Sequence, residues 1–157
     1  MLRAGTLSDS TLIGKRVASL RQITCASPPY LRQYGEPQSL DDLKNHRAVN
    51  YVSRTTAKLF PFEFMVDGEL KEVAIEGAIS VFGAEIYAAS AIAGLGLIQC
   101  PHYRMETQIA QGLVKEVLTE TPPPPMPVSV LYPHNRHMSP RVRVFVDWLG
   151  EVFAGAR

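Results

Sequence analysis

The sequence predicts an α/β fold, and three observations carry the prediction. Strand-like apolar runs alternate with short helical patterns along the whole chain. A β-hairpin signal, Pro61-Phe-Glu-Phe-Met-Val66, the turn pair Asp67-Gly68 and Leu70 to Ile75, adds antiparallel pairing to that alternation. The third observation is the stretch Ile79 to Pro101, which reads as a buried helix that stops at a glycine and turns straight into a buried strand. Within it Ile86, Ala89, Ile92 and Ala93 recur at helical spacing and form the predicted buried face, with Ala88, Ser90 and Ala91 between them small enough for close packing on a sheet. Gly94 is placed to end the helix in a left-handed conformation, and Gly96 keeps the turn tight. Leu97-Ile98-Gln99-Cys100, bounded by Pro101, is a strand buried on both faces. The helix start near Phe82-Gly83 and the strand end at Pro101-His102 are places where such a fold offers backbone N–H groups to a ligand. A helix–strand packing unit with no ligand satisfies the same residues.

Taken in order, Leu2-Arg3-Ala4-Gly5 is the end of a strand entering a loop, and Thr6 to Ser10 is turn-rich. Leu12 to Leu20 is a strand, and Arg21 to Ala26 is a second strand or its continuation after a bend. Ser27-Pro28-Pro29 opens a short helix, Tyr30 to Tyr34, closed by Gly35. Ser39-Leu-Asp-Asp42 has the form of a capping box and starts a second short helix to about Asn45. Ala48 to Val52 is a strand followed by the polar loop Ser53-Arg-Thr-Thr56. Beyond Pro101, His102 to Gln111 forms a helix ending at Gly112, and Leu113 to Leu118 a strand. Pro122 to Pro125 is a stiff connector of the polyproline type, and Met126 to Tyr132 a strand. Pro133 to Met138 is a loop, after which Ser139-Pro140 caps a last helix whose apolar stripe is Val142, Phe145, Val146, Leu149 and Phe153.

Composition narrows the function classes. The chain has 157 residues, 46% of them hydrophobic and 20% charged, which suits one domain or two small lobes with a real core. Sixteen Lys+Arg against fifteen Asp+Glu leave a formal charge of +1, without the concentrated basic face that nucleic-acid binding needs. Cys25 and Cys100 are too few for a disulfide framework and lack partners at metal-ligand spacing, so they read as small buried apolar groups in a reducing cytoplasm. No signal peptide opens the chain, and the most apolar window, Ile86 to Ile98, is shorter than the roughly 20 residues a membrane span needs.

No catalytic constellation is present. His46, His102, His134 and His137 have no cysteine or carboxylate at ligand spacing, which speaks against a metal site or other cofactor. Ser27 precedes two prolines and reads as a cap, not a nucleophile. Cys100 stands two positions from His102, but at a strand end their side chains need not meet, and packing is the better reading. The reading is of a protein that is not an enzyme.

Five motifs in order then point to a family: Cys25-Ala-Ser-Pro-Pro-Tyr-Leu, Asn50-Tyr-Val-Ser-Arg-Thr, Ala91-Ile-Ala-Gly-Leu-Gly-Leu-Ile-Gln-Cys-Pro, Pro127-Val-Ser-Val-Leu-Tyr-Pro, and Ser139-Pro-Arg-Val-Arg-Val-Phe-Val-Asp-Trp-Leu. Together they resemble the effector-binding domain of the LysR-type transcriptional regulators over nearly the whole chain. The resemblance implies a periplasmic-binding-protein-like (type II) α/β fold of two lobes with a small-molecule effector held between them. It implies a complete second lobe over about residues 23–118, with 1–22 and 119–157 as hinge strands and remnants of the first lobe. The family's helix-turn-helix and the first part of its first lobe have no counterpart here, as in a fragment or a chain whose start is placed too far downstream.

The resemblance also names an effector site. Arg3 matches an arginine of a cleft-facing loop that could pair with an anion. Ser53, Arg54, Thr55 and Thr56 form the loop after a cleft-lining strand, Phe82 and Gly83 precede the central helix, and Pro101 and His102 close a strand end on the same side. Phe82 stands where relatives often carry a polar residue. The implied partners are an anionic or aromatic small molecule, a second copy of the chain, and DNA only through a helix-turn-helix outside this sequence. No membrane partner is implied. A solute-binding protein of similar fold is the alternative, and it would need a secretory signal.

Overall fold

The computed structural model describes residues 2–4, 12–133 and 139–154. In chain order the elements are β1 (Leu2–Ala4), β2 (Leu12–Leu20), β3 (Gln22–Ala26), α1 (Pro28–Tyr34), β4 (Arg47–Tyr51), β5 (Phe62–Val66), β6 (Glu69–Val73), β7 (Glu76–Val81), α2 (Ala84–Ile92), β8 (Ile98–Pro101), α3 (Glu106–Ala110), β9 (Lys115–Val117), β10 (Met126–Pro133) and α4 (Pro140–Ala154). Short 3-10 turns occupy Leu40–Asn45 and His102–Arg104. The chain divides into two compact units, Gln22–Pro124 and the pair of segments Met1–Arg21 with Pro125–Arg157.

In the larger unit the strands lie in the order β7-β4-β8-β3-β9. β4 pairs parallel with β7, from Arg47 opposite Glu76 to Tyr51 opposite Val81. A parallel bridge between Ala48 and Leu97 joins β4 to the start of β8, through Val49 N–H to the Leu97 carbonyl (3.0 Å) and Leu97 N–H to the Arg47 carbonyl (2.9 Å). β3 then runs antiparallel between β8 and β9. Four strands therefore point one way and β3 the other, and the C-terminal ends of β4, β7 and β8 share one edge.

Side-chain alternation sends each strand's residues to two cores. On one face Ile23, Cys25, Val49, Val81, Ile98 and Cys100 pack with Tyr87 and Ala91 of α2 and with Met105. On the other, Ala26, Ala48, Leu97 and Val117 pack with Tyr30, Leu43, Phe62 and Phe64. Burying each such large side chain stabilises the fold by about 1.5–3 kcal/mol. The second core is completed by a buried polar hub. The Tyr30 hydroxyl accepts the Arg47 N–H at 2.8 Å and lies 2.8 Å from His46 Nδ1 and 3.2 Å from the Arg47 carbonyl.

Local chemistry explains the predicted elements. Ser27 Oγ caps α1 by accepting the Tyr30 N–H at 3.4 Å, Pro28 and Pro29 follow, and Gly35 closes the helix at φ +83°. Before the first 3-10 turn the Asp42 carboxylate accepts both the Gln38 and Ser39 N–H groups at 2.9 Å. The β5–β6 hairpin turns through Asp67 and Gly68, both at positive φ, as its two-residue loop requires. Gln99 fastens that hairpin. Its amide accepts the Glu63 N–H (3.0 Å) and donates to the Glu63 carbonyl (2.9 Å) and to Thr24 Oγ1 (3.0 Å).

The structure corrects the sequence reading in four places. β7 takes up residues 76–78, left without an element in the sequence reading, and continues through residues 79–81 of the stretch read as the central helix. α2 buries Tyr87, Ser90 and Ala91, so most of the predicted set is turned outward, with Ile86 at 58% exposure and Ala89 and Ala93 also exposed, while Ile92 packs part-buried against the core. Ser90 tolerates burial because its hydroxyl donates to the Ile86 carbonyl at 2.7 Å. The helix expected from His102 to Gln111 breaks at Met105 into a 3-10 turn and α3, and the strand from Leu113 shortens to β9 before Leu118, at φ +55°.

In the smaller unit β10 is the middle strand, antiparallel to β1 and β2, with a bulge between Val128 and Ser129. Val146 and Leu149 of α4 bury against Val130, with Val17 and Phe153 packed around them. Val142 and Phe145, read as part of the same stripe, are exposed. Ser139 caps α4, accepting the Val142 N–H on its hydroxyl at 3.4 Å. His134 and His137 lie outside the described residues.

Candidate functional site

Three of the candidate segments converge because their strands are parallel. Ser53–Thr56 follow β4, Phe82–Gly83 follow β7, and Pro101–His102 end β8, so all lie at the carboxyl edge of the same run. Ligands of open α/β sheets bind outside such an edge. Arg3 belongs to the other unit, opposite Ser129 in the β1–β10 register, and only its backbone lies within the described residues.

The loop after β4 is held by its own groups. Ser53 N–H donates to the Lys58 carbonyl (2.9 Å) and Ala57 N–H to the Ser53 carbonyl (2.9 Å), with Ala57 at φ +54°. The Ser53 hydroxyl accepts the Thr56 N–H (3.2 Å), and the Thr56 hydroxyl the Lys58 N–H (3.4 Å). These two hydroxyls therefore shape the loop and keep only their protons to offer outward. Thr55 and Arg54 are exposed. A bridge between Val52 and Leu59 closes the loop and sets Phe60 against Tyr51, with ring centroids 5.5 Å apart. Tyr51 in turn meets the Tyr87 ring edge-on at 5.1 Å.

Gly83 supplies the opposite wall. It sits at φ +94° and ψ 143°, a conformation that favours glycine, and leaves the α2 N-terminus without a side-chain cap. The first-turn N–H groups of a helix have no intrahelical acceptor and carry the positive end of its dipole. A methyl group built on Gly83 would stand 3.7 Å from an Arg54 guanidinium nitrogen, which puts that cation beside the helix start. Arg104, in the turn after β8, reaches Glu85 in the first turn of α2 at 3.6 Å. The edge thus gathers the Arg54 guanidinium, the Arg104 guanidinium paired with the Glu85 carboxylate, uncapped N–H groups and exposed apolar surface on Phe60 (55%) and Phe82 (49%). Chemically it suits an anion with an apolar body. At the end of β8, Pro101 is buried and His102 half-buried.

Sequence reasoning missed Phe60, Tyr51 and Arg104. Phe60 and Tyr51 flank the polar loop, which was a usable signal, whereas Arg104 is placed only by the fold. Among the described residues no three His, Cys, Asp or Glu side chains form a group that could hold a metal ion, and no helix is long and apolar enough to cross a membrane. A separate groove of about 590 Å³ is lined by Glu36, Asp41, Lys71, Lys115 and Glu120. Its charges are of mixed sign, Lys115 is already paired with Glu36 at 2.6 Å, and it contains none of the candidate residues.

Comparison with known proteins gives the family of this fold. The family model of the LysR substrate binding domain matches residues 1–154. The HTH-type transcriptional regulator YhjC of Escherichia coli K12 is 33% identical over 152 residues, covering 97% of this chain and 51% of the relative. Among solved structures, the regulatory domain of CrgA, a LysR-type regulator from Neisseria meningitidis, superposes with a TM-score of 0.74 at 26% identity, over 97% of this chain and 74% of that one. The effector domain of AmpR from Pseudomonas aeruginosa shares the fold at a TM-score of 0.68 and 15% identity, over 99% of this chain and 72% of that one. The chain spans about half the length of the full-length relatives it matches. Its fold is the periplasmic-binding-protein-like type II fold, and the chain belongs to the LysR substrate-binding domain family, the ligand-sensing regulatory domain of LysR-type transcriptional regulators.

Proposed function

We propose that this chain senses a small anionic effector at the carboxyl edge of β4, β7 and β8, in a transcriptional regulator whose DNA contacts are made by a separate helix-turn-helix domain. The observation that carries the reading is the uncapped α2 N-terminus beside Arg54, on the same edge as the loop Ser53–Thr56. Arg54 and the first-turn N–H groups of α2 hold the negative group, and Phe60 and Phe82 cover the apolar part. Ser53, Thr55 and Thr56 orient the ligand through their hydroxyl protons, and Pro101 and His102 close the floor. Residues of about 23–118 act as the complete second lobe of this sensor, and the flanking segments as hinge strands and part of the first. The site binds and does not catalyse, because it combines cations and donors with no paired base and nucleophile. The regulator works in the cytoplasm as a homo-oligomer, and effector binding shifts its lobes and so its hold on DNA.

The test is calorimetric titration of the whole regulatory domain with a panel of aromatic and aliphatic carboxylates. At least one should bind, and Arg54→Ala should weaken it by about 1–3 kcal/mol, the usual loss when a charged partner is removed. Unchanged affinity in Arg54→Ala and Thr55→Ala would reject this loop as the site.

A further inference from the structure

The edge proposed as the effector seat carries an anion of its own. Glu85 is the second residue of α2, and its carboxylate lies 3.6 Å from the Arg104 guanidinium. Arg104 comes from another element, the 3-10 turn after β8. On the other side, the Arg54 guanidinium stands beside Gly83, two residues before Glu85. Around the start of α2 the charged groups are thus Arg54, Glu85 and Arg104: positive, negative, positive. The Glu85 side chain is 83% exposed and that of Arg104 36%, so the carboxylate faces solvent and not the core. An exposed pair of this kind contributes little to stability. Its effect on a charged ligand is another matter.

The charges decide what the seat can take. Glu85 and Arg104 offset one another. Arg54 and the positive end of the α2 dipole, worth about half a unit charge, then leave a surplus of about +1.5. That surplus neutralises one carboxylate. A second carboxylate on the same small ligand finds only the remainder, and it meets the like charge of Glu85, which repels it. Arg104 could match it only by giving up Glu85, whose carboxylate would then stand unpaired beside two others. Resting on the reading of this edge as the effector seat, we propose that Glu85 is a specificity-determining residue: the site accepts a monocarboxylate and rejects the dicarboxylate of the same skeleton. The rejection is by repulsion and not by size, because the edge is open and Glu85 lies at the surface. Arg104 sets its strength. Paired with Glu85 it moderates the negative field, and without it the field meets the ligand in full.

The test titrates the regulatory domain calorimetrically, at neutral pH and low salt, with matched pairs of ligands: isophthalate with 3-carbamoylbenzoate, and glutarate with glutaramate. The members of a pair share a skeleton and differ in one carboxylate replaced by an amide. Wild type should bind the amide member of at least one pair more tightly than the dicarboxylate, by about fivefold or more. Glu85→Gln should reduce that ratio to about twofold or less, and Arg104→Gln should widen it beyond the wild-type value. Lys58 and Glu106 carry their charges unchanged through every variant, so the shift in ratio reads Glu85 and Arg104. A merely structural role would weaken both members of a pair alike and leave the ratio where it was. Urea midpoints near wild type establish that the variants are folded, and should Arg104→Gln fail that check, wild type and the isosteric Glu85→Gln decide. Equal affinity for the two members in wild type, or a ratio unmoved in Glu85→Gln, overturns the selection while leaving the seat in place. Binding of neither member of any pair, to wild type or to Glu85→Gln, rejects the seat itself and the selection with it.

Discussion

Gly96→Ala tests the joint on which the functional edge depends. Gly96 precedes the bridge that ties β4 to β8, and a Cβ placed on it would stand 2.8 Å from the Arg47 carbonyl oxygen and 2.9 Å from the Ala48 carbonyl carbon. Both are backbone atoms in the middle of a sheet, so neither can swing aside. Relief requires the two strands to part, which lengthens the Val49-to-Leu97 and Leu97-to-Arg47 hydrogen bonds, now 3.0 and 2.9 Å. Losing two net hydrogen bonds costs about 1–3 kcal/mol, and overpacking a closed site typically a further 1–3 kcal/mol, so the total is about 2–6 kcal/mol. Urea denaturation followed by circular dichroism measures it, and the midpoint should fall sharply with little change in slope. A midpoint equal to wild type would refute the close approach and, with it, the argument that β8 is locked in register beside β4.

Three further outcomes follow from other parts of the molecule. Gly150→Ala makes the same chemical change inside α4, where nothing lies within 4 Å of the added methyl, and should raise stability by up to about 1 kcal/mol in the same assay. On α2, Tyr87→Ala should cost about 3–5 kcal/mol, while Ile86→Ser should stay within about 0.5 kcal/mol, as the orientation of the helix demands. The pH dependence centres on His46, which burial holds below its ordinary value against a smaller opposing pull from Asp42. The unfolded chain then takes up the proton first, so stability is fully present above the ordinary histidine value near 6.5 and falls as pH drops below it toward the folded value. Thermal melts from pH 7 to 5 should show that decline, and His46→Gln should flatten it.

The misreadings have physical causes that particular residues make plain. Elements marked by special chemistry were legible: Ser27-Pro28-Pro29 and Gly35 delimit α1, and Asp67-Gly68 sets the hairpin turn. β7 was not, because Glu76-Gly-Ala-Ile-Ser is an exposed edge strand with neither alternation nor a boundary signal after β6. The orientation of α2 was not, because apart from Glu85 and Tyr87 its residues are aliphatic or small, and periodicity cannot choose a face there. The sheet chose, burying Tyr87, whose hydroxyl accepts the Gln99 N–H at 3.0 Å, and leaving Ile86 outside. On α4, Val142 and Phe145 fit the helical stripe in sequence, yet Val146 and Leu149 alone of those four meet the sheet. At the site, Ser53–Thr56 came from resemblance to a family, Phe82–Gly83 also from the local signal of a helix start, and Phe60 was signalled by its place beside the polar loop, whereas Arg104 depends on a strand order that no local pattern encodes.

An anion seated against the α2 N-terminus is the central feature of the proposed sensor, and one measurement addresses that seat directly. Amide chemical shifts of the isotopically labelled regulatory domain are followed while a binding carboxylate is added. The largest shifts are expected at Ala84, Glu85 and Ile86, whose N–H groups would face the ligand, with further shifts along Ser53–Thr56 and at His102, all saturating together. Shifts confined to the groove lined by Glu36, Lys71 and Lys115, with Ala84 to Ile86 unmoved at saturation, would contradict it.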